Sequence, residues 1–336
     1  MSNPNYELDG QDFIVVGGGG YIGAHVCKRI FDCGGRPIVF DNFEAGHTHA
    51  VKWGPFEKVD LRNRSATQKA FQKYQGVKTV IHLASSIEVG EGERAPEGFY
   101  ENNVSGALNL MMSMRAMGAD RLIFSSTCAT YGETQNMPLL ETEIQNPFSV
   151  YGKTKLAIEH MIQSYHKAYG LKYVTFRYFN ASGADASGEI GEEHDPETHL
   201  IPNALKAAAG LGKGLKIFGT DYDTPDGTCV RDYIHVSDIA EAHIQAIRVM
   251  DSGLTQAEVN LGTGEGYSVL QIINAIEQIT GLTVPYEDAP RREGDLTQLY
   301  ANAERARDIL SFVPQHSSLE NIIATAWAFH RARWGL

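Results

Sequence analysis

The sequence predicts an α/β fold, a doubly wound parallel sheet with a smaller carboxyl-terminal lobe laid over its edge. Three observations carry this expectation. Short β-branched runs without apolar/polar alternation recur through the first half, longer amphipathic segments separate them, and the texture changes after Asn180, where Gly, Ser, Asp and Glu crowd residues 181–198. Strands that are apolar at every position suit burial on both faces, which a parallel sheet sandwiched between helices provides.

Taken in order, Phe13–Val16 reads as the first strand, Tyr21–Cys33 as a helix, Pro37–Phe40 as a strand and Ser65–Tyr74 as a helix. Thr79–Leu83 and Arg121–Phe124 follow as strands on either side of a helix over Gly98–Met117, and a helix over Val150–Tyr169 leads into a strand at Tyr173–Tyr178. Beyond the loop the expected elements are a helix at His199–Ala209, a strand at Leu215–Phe218, and helices at Ser237–Met250, Val269–Thr280 and Leu319–Arg331. The expected division is 1–180 for a nucleotide-binding domain and 181–336 for a substrate lobe, with some later segments returning to the first domain. No internal repeat is present.

The 336 residues carry 29 Lys+Arg against 41 Asp+Glu, a net charge of −12. That balance repels nucleic acid and anionic membranes, so neither is an expected partner. No apolar stretch reaches the ~18 residues of a spanning helix, and the first residues lack a signal-peptide core. The four cysteines, Cys27, Cys33, Cys128 and Cys229, form no CxxC pair, which favours a reducing, cytoplasmic setting and argues against sulfur-bound metal.

The chemistry begins where the first strand meets Gly17-Gly-Gly-Gly-Tyr-Ile-Gly23, a GxxGxxG turn opening a helix. In a dinucleotide site the first glycine permits the tight turn, the second lets backbone N–H groups approach a pyrophosphate, and the third lets the helix pack on the sheet. The second strand ends in Asp41, an acid that either accepts both hydroxyls of an adenosine ribose or simply closes a turn. Beside the Gly loop the ribose reading leads. No Arg or Lys lies in Asn42–Gly46 to receive a 2′-phosphate, so NAD is favoured over NADP and the fold reads as Rossmann-type.

Tyr151-Gly-Lys-Thr-Lys155 places a phenol and an ammonium on one helical face. Bringing a phenol from its ordinary ~10 to ~7 takes about 4 kcal/mol, roughly what one positive charge at ~4 Å supplies near an effective dielectric of 20. Such a pair can take a proton from a sugar hydroxyl as its hydride leaves. The hydroxyl triplet Ser125-Ser126-Thr127 opens from the fourth buried run, at the carboxyl end of a parallel strand, where ligands bind.

Three decoys fail. Tyr74 and Lys78 share the four-residue spacing, but Gly76 interrupts the helix. Gly152-Lys-Thr154 ends like a P-loop, but Pro147 stands where its first glycine belongs. His194 and His199 flank Pro196, which breaks the helical face of a zincin, so they read as solvated loop histidines and no metal is expected.

These motifs identify the chain as resembling the extended short-chain dehydrogenase/reductases, and among them the UDP-glucose 4-epimerase group, over almost its whole length. The matching stretches are Gly17–His25, Tyr100–Gly106, Phe124–Gly132, Tyr151–Lys155, Arg177–Gly183, Ile217–Val236 and Ala289–Leu296. The last two are the more specific, because they lie outside the shared cofactor fold. The resemblance implies interconversion of UDP-glucose and UDP-galactose through a 4-keto intermediate, with a tightly held NAD that takes hydride and returns it to the other face. It implies Tyr151 as base and acid, Lys155 as the group that depresses its pKa and holds the nicotinamide ribose, and Thr127 as the catalytic hydroxyl, with Ser126 the alternative. Further NAD contacts implied are Gly17, Gly20, Tyr21, Ile22, Asp41, Asn42, Asp60, Leu61, Leu83, Ala84, Asn102, Ser125 and Tyr178. The UDP-sugar would meet Asn180, Leu200, Phe218, Arg231, Tyr233, Arg292, Asp295 and Leu299 as well as Thr127 and Tyr151. A homodimer pairing the helices near 98–117 and 150–169 is also implied.

Three positions depart from the family pattern. Ile87 stands where many members have a Lys near a cofactor phosphate, and His199 replaces the usual Asn before Leu200. The spacing from Thr127 to Tyr151 (151 − 127 = 24) is one residue short. Rival activities are UDP-pentose or UDP-N-acetylhexosamine 4-epimerisation, 4,6-dehydration and a non-catalytic nucleotide-binding module. Cys128-Ala129 in place of an Asp-Glu pair argues against dehydration, and the Tyr151/Lys155 pair argues against a binding module.

Overall fold

The computed structural model describes residues 7–134, 136–212, 214–292 and 294–336. The first half alternates β1 (Asp12–Val16), α1 (Tyr21–Asp32), β2 (Arg36–Asp41), β3 (Phe56–Lys58), α2 (Arg64–Gln72) and β4 (Thr79–His82). Short helices α3 (Val89–Arg94) and α4 (Pro96–Phe99) lead through a π-helical turn, Tyr100–Ser105, into α5 (Gly106–Met117). Then come β5 (Arg121–Thr127), α6 (Val150–Tyr169), β6 (Lys172–Tyr178) and β7 (Asn180–Ser182). The second half contains α7 (Leu200–Ala208), β8 (Leu215–Phe218), β9 (Val230–Arg231), β10 (Tyr233–His235), α8 (Val236–Asp251) and β11 (Gln256–Leu261). It closes with β12 (Tyr267–Ser268), α9 (Val269–Thr280), β13 (Tyr286–Ala289), β14 (Gln298–Leu299), α10 (Glu304–Leu310) and α11 (Leu319–Trp334).

Seven strands form one sheet in the order β3-β2-β1-β4-β5-β6-β11, and every pairing is parallel. The expected Rossmann-type α/β fold is thus present. The order reverses between β1 and β4, which opens a crevice at their carboxyl ends, the usual ligand position in such sheets. Both faces are covered. One core joins Val15, Ile81, Ile123 and Phe176 to Val26 and Ile30 of α1 and to Ile239, Ala246 and Met250 of α8, while the other packs Ile14, Ile38 and Val80 against α2, α5 and α6.

Besides several short added elements, three differences from the expectation bear on the sheet and the site. β5 runs on through Thr127, so the hydroxyl triplet lies within the strand and obeys its pleat. The helix expected over 98–117 is interrupted by the π turn. β11 was missed because Gln256-Ala-Glu-Val-Asn-Leu is polar at alternate places. Its Glu258 accepts the Tyr173 hydroxyl at 2.5 Å and its Asn260 accepts that of Tyr131 at 2.5 Å, so these polar groups are satisfied inside the sheet layer.

In the smaller lobe, α7, α9 and α11 share a core of Ile201, Leu205, Ile272, Ile276 and Ile322 with Ile217 of β8. A Ser268/Gln271 capping box starts α9. The lobe meets the crevice through β7 paired with β10 and through β9, which lies between β12 and β14. Among the described residues no helix is long and apolar enough to cross a membrane.

Candidate active site

The Gly loop leaves β1 and is shaped by close approach. Gly17 has φ +84°, and a Cβ there would lie 2.6 Å from the Ala84 nitrogen. A Cβ on Gly23 would lie 2.0 Å from the Gly17 carbonyl, so only glycine lets α1 start against the turn. Gly20, with its nearest atom at 3.4 Å, leaves backbone open toward the crevice. Leu83 and Ala84 leave β4 beside it, both amides bonded to the Val16 carbonyl. Ile22 packs into the core beneath, and the Tyr21 hydroxyl donates to the Gly183 carbonyl at 2.6 Å.

Asp41 ends β2 with both oxygens engaged. Oδ2 accepts from the Gly19 N–H at 2.9 Å and Oδ1 from the Phe43 N–H at 2.8 Å. The turn-closing reading is therefore realised, and because a carboxylate has about four acceptor sites the ribose reading stays compatible with it. Burial raises the Asp41 pKa, opposed by those two N–H groups. Asn42 follows with its side chain accepting from the Glu44 N–H. Asp60 is clasped by Arg62 at 2.6 Å and held below the usual carboxylate range, while Leu61 is buried against Gly106. Asn102 donates to the Ser86 hydroxyl at 2.9 Å. Ile87 is exposed and brings no cation.

On α6, the Ser149 side chain caps the helix by accepting from the Gly152 N–H at 3.1 Å, so Tyr151 lies in the first turn. Its hydroxyl lies beside that of Thr127. One turn on, Lys155 is buried, donates to the Ser125 carbonyl at 2.8 Å, and lies 5.7 Å from the Tyr151 ring centre. Burial pushes Tyr151 upward, opposed by the Thr127 hydroxyl, and pulls Lys155 down to about 7 against the pull of Glu159. The ammonium donates to the Ser125 carbonyl and lies 5.1 Å over the Phe124 ring.

The pleat separates the hydroxyl triplet. Ser125 and Thr127 face the Tyr151 side, and Tyr178 of β6, bonded to His243 at 2.9 Å, stands by Ser125. Ser126 points to the other face and donates to Glu159 at 2.5 Å. Glu159 also pairs with Arg177 at 2.8 Å in a fully buried network that includes the Tyr131 hydroxyl. This network escaped sequence reading. So did Asn103, which ties Ser86 to Thr154 across the crevice wall. Asp232 escaped it too: it is buried and accepts the N–H groups of Thr263, Gly264 and Ala301. A charged residue four after Lys155, on the buried stripe of α6, was the available signal for Glu159.

From the smaller lobe, Asn180 is paired with Tyr233 in register. Arg231, opposite Leu299, donates to the carbonyls of Val230 and Leu296 and faces Asp295 at 3.5 Å. Arg292 binds the same carboxylate at 2.8 Å and lies 4.9 Å over the Phe218 ring. Two guanidiniums thus converge, one carboxylate between them, a geometry suited to diphosphate oxygens. Leu200 opens α7 and packs on its core. Leu299 packs against a small apolar cluster of Cys128, Tyr131, Leu139, Phe179 and Ala301. The decoys stay apart: Tyr74 donates to Glu57 and Lys78 to the Gly118 carbonyl. His194 and His199, expected to be solvated, instead gather with Glu192 and Glu197, His199 Nδ1 lying 2.9 Å from each carboxylate.

The family described as NAD dependent epimerase/dehydratase matches residues 13–262. The chain belongs to that family. It is 48% identical over 323 residues to a UDP-glucose 4-epimerase of Rhizobium leguminosarum bv. trifolii, a match covering 96% of this chain and 98% of the relative. Among solved structures it resembles the UDP-glucose 4-epimerase of Brucella ovis in complex with NAD, at 47% identity and a TM-score of 0.92, covering 94% of this chain and 97% of that one. It also resembles the UDP-Glc/GlcNAc 4-epimerase of Campylobacter jejuni, at 34% identity and a TM-score of 0.84, covering 96% and 100%. The residues present fit the family's cofactor. The Gly17–Gly23 turn at the switch point is a cradle that a Cβ at Gly17 or Gly23 would fill, Asp41 stands at the end of β2, and Lys155 lies in the crevice.

Proposed function

We propose that the protein is an isomerase, a UDP-glucose 4-epimerase that interconverts UDP-glucose and UDP-galactose. The observation that carries this reading is the Tyr151 hydroxyl beside Thr127, with the Lys155 ammonium 5.7 Å from the Tyr151 ring centre, at the carboxyl end of the sheet's switch point. NAD, when bound there, supplies the hydride acceptor at C4 and, oxidised, a positive charge that favours phenolate. Tyr151 takes the C4 hydroxyl proton and gives it back; Thr127 shares a hydrogen bond with the reacting oxygen; Lys155 holds the nicotinamide ribose. Gly17, Gly20, Tyr21, Ile22, Asp41, Asn42, Asp60, Leu61, Leu83, Ala84, Asn102, Ser125 and Tyr178 line the cofactor side. Asn180, Leu200, Phe218, Arg231, Tyr233, Arg292, Asp295 and Leu299 line the UDP-sugar side, with Arg231 and Arg292 on the diphosphate. Residues 1–180 hold the cofactor and 181–336 the sugar nucleotide, in a cytoplasmic protein of galactose metabolism. Tyr100, Leu108 and Tyr169 are exposed on the helices near 98–117 and 150–169, which supports their pairing in a homodimer. The test is to incubate dialysed protein with UDP-glucose. UDP-galactose forms without added NAD; NADH accumulating only when NAD is added would mark a dehydrogenase instead.

Substrate range follows from Leu299. It occupies the position that in the family lines the pocket beside the sugar's 2-substituent, and it packs against the small apolar cluster that includes Cys128 and Phe179, which supports the reading. Leu leaves more room than Tyr and less than Ser, so slow epimerisation of UDP-N-acetylglucosamine is expected beside faster work on UDP-glucose. Leu299→Tyr should lower the first at least tenfold, about 1.4 kcal/mol, and spare the second. Equal rates on the N-acetylated sugar before and after the substitution would place the gate elsewhere.

A further inference from the structure

The loop preceding α7 gathers four potential ligands that the proposed activity does not use. Within Glu192-Glu-His-Asp-Pro-Glu-Thr-His199, one donor atom from each of Glu192, His194, Glu197 and His199 lies within 4.8 Å of all the others. Both imidazoles present Nδ1. His199 Nδ1 is 2.9 Å from Glu192 Oε1 and 2.9 Å from Glu197 Oε1, and His194 Nδ1 is 3.4 Å and 3.6 Å from oxygens of the same two carboxylates. Four ligands about 2.0 Å from a tetrahedral ion stand about 3.3 Å apart. The spacings straddle that value.

Two further observations point to a ligand. His194 Nδ1 is buried and makes no hydrogen bond. Glu192 is only 5% exposed, and among the described residues no Lys or Arg pairs with it or with Glu197. Two carboxylates sharing a largely buried site require positive charge.

We propose that Glu192, His194, Glu197 and His199 bind one divalent ion of the zinc class, which nitrogen-containing donor sets favour over magnesium or calcium. Four protein ligands close the shell, so the ion is structural and holds no open position for chemistry. It pins a segment that crosses the Gly loop, where Glu193 meets His47 and His49 and Asp185 meets Lys28. Sequence spacing hid the site because Pro196 forbids a helical i, i+4 face, whereas an extended loop brings the same residues to one point.

The test uses untagged, full-length protein stripped with dipicolinate and titrated with zinc alone, read by calorimetry and by elemental analysis after gel filtration. Cobalt replaces zinc for a second readout, its intense visible bands reporting tetrahedral geometry. One ion per chain and tetrahedral cobalt spectra are expected. Glu192→Gln and His194→Gln should each weaken zinc binding at least a hundredfold, while Glu193→Gln leaves it unchanged. His199→Asn serves as a further variant if Glu192→Gln fails to fold by circular dichroism. Binding well below one ion per chain, octahedral cobalt spectra, or affinity unchanged in folded ligand variants would overturn the proposal and leave two imidazolium groups clamped by two carboxylates. These readouts do not depend on turnover, so failure here is distinct from failure of the epimerase reading.

Discussion

Tyr151→Phe should lower turnover about a thousandfold or more while UDP-sugar still binds, because it removes the proton carrier and keeps the ring. The hydroxyl it deletes lies beside that of Thr127, on a ring whose centre is 5.7 Å from the Lys155 ammonium. Steady-state kinetics check it: kcat falls and KM moves little, the pattern of an interaction that matters most in the transition state. Tyr74→Phe is the control, since its hydroxyl serves only Glu57 on the surface of the first domain, and it should be silent. Turnover within tenfold of the unsubstituted protein in Tyr151→Phe would move the base elsewhere.

Arg177→Met should cost about 3–5 kcal/mol of stability, because it leaves the Glu159 carboxylate buried with only neutral donors. The Glu159 side chain is 1% exposed and that of Arg177 is 4% exposed. What would remain to Glu159 is the Ser126 hydroxyl and the Gln145 amide. The Tyr131 hydroxyl would also lose the guanidinium at 2.9 Å. Urea unfolding checks the loss, and adding Glu159→Gln to Arg177→Met should recover most of it, since a neutral amide no longer demands a cation. A loss below 1 kcal/mol in Arg177→Met would mean that the pair is hydrated in solution. The network bears on the site through β5: Ser126 is anchored on the Glu159 side of the strand, and the pleat puts its neighbour Thr127 on the opposite side.

What was legible in the sequence was what is local. The Gly turn between a strand and a helix, the acid at the end of β2 and the Tyr151/Lys155 face each depend on a few consecutive residues, so their spacing carries their geometry. The choice between Ser126 and Thr127 was not legible, because it depends on where β5 ends, and the pleat decides only once the strand is known to include both. Asn103, Glu159 and β11 were hidden for a different reason. Their partners, Thr154, Arg177 and Tyr131, lie far along the chain, and polar residues in a buried place look like surface until those partners are known. Around Tyr151 the sequence shows the neighbouring cation but not the burial, which acts on the phenol in the opposite direction, nor the Ser125 carbonyl that the Lys155 ammonium binds.

The central claim is that hydride leaves C4 and returns to C4 without leaving the crevice that Lys155 and Tyr151 close. The direct measurement is to supply UDP-glucose deuterated at C4 to dialysed protein in ordinary water and to examine the UDP-galactose formed by mass spectrometry. Retention of the deuterium at C4 in essentially all product, with no NADH released, is the predicted result. Replacement of the label by solvent hydrogen would contradict it, because the proton would then have been exchanged by enolisation or elimination and not carried as hydride.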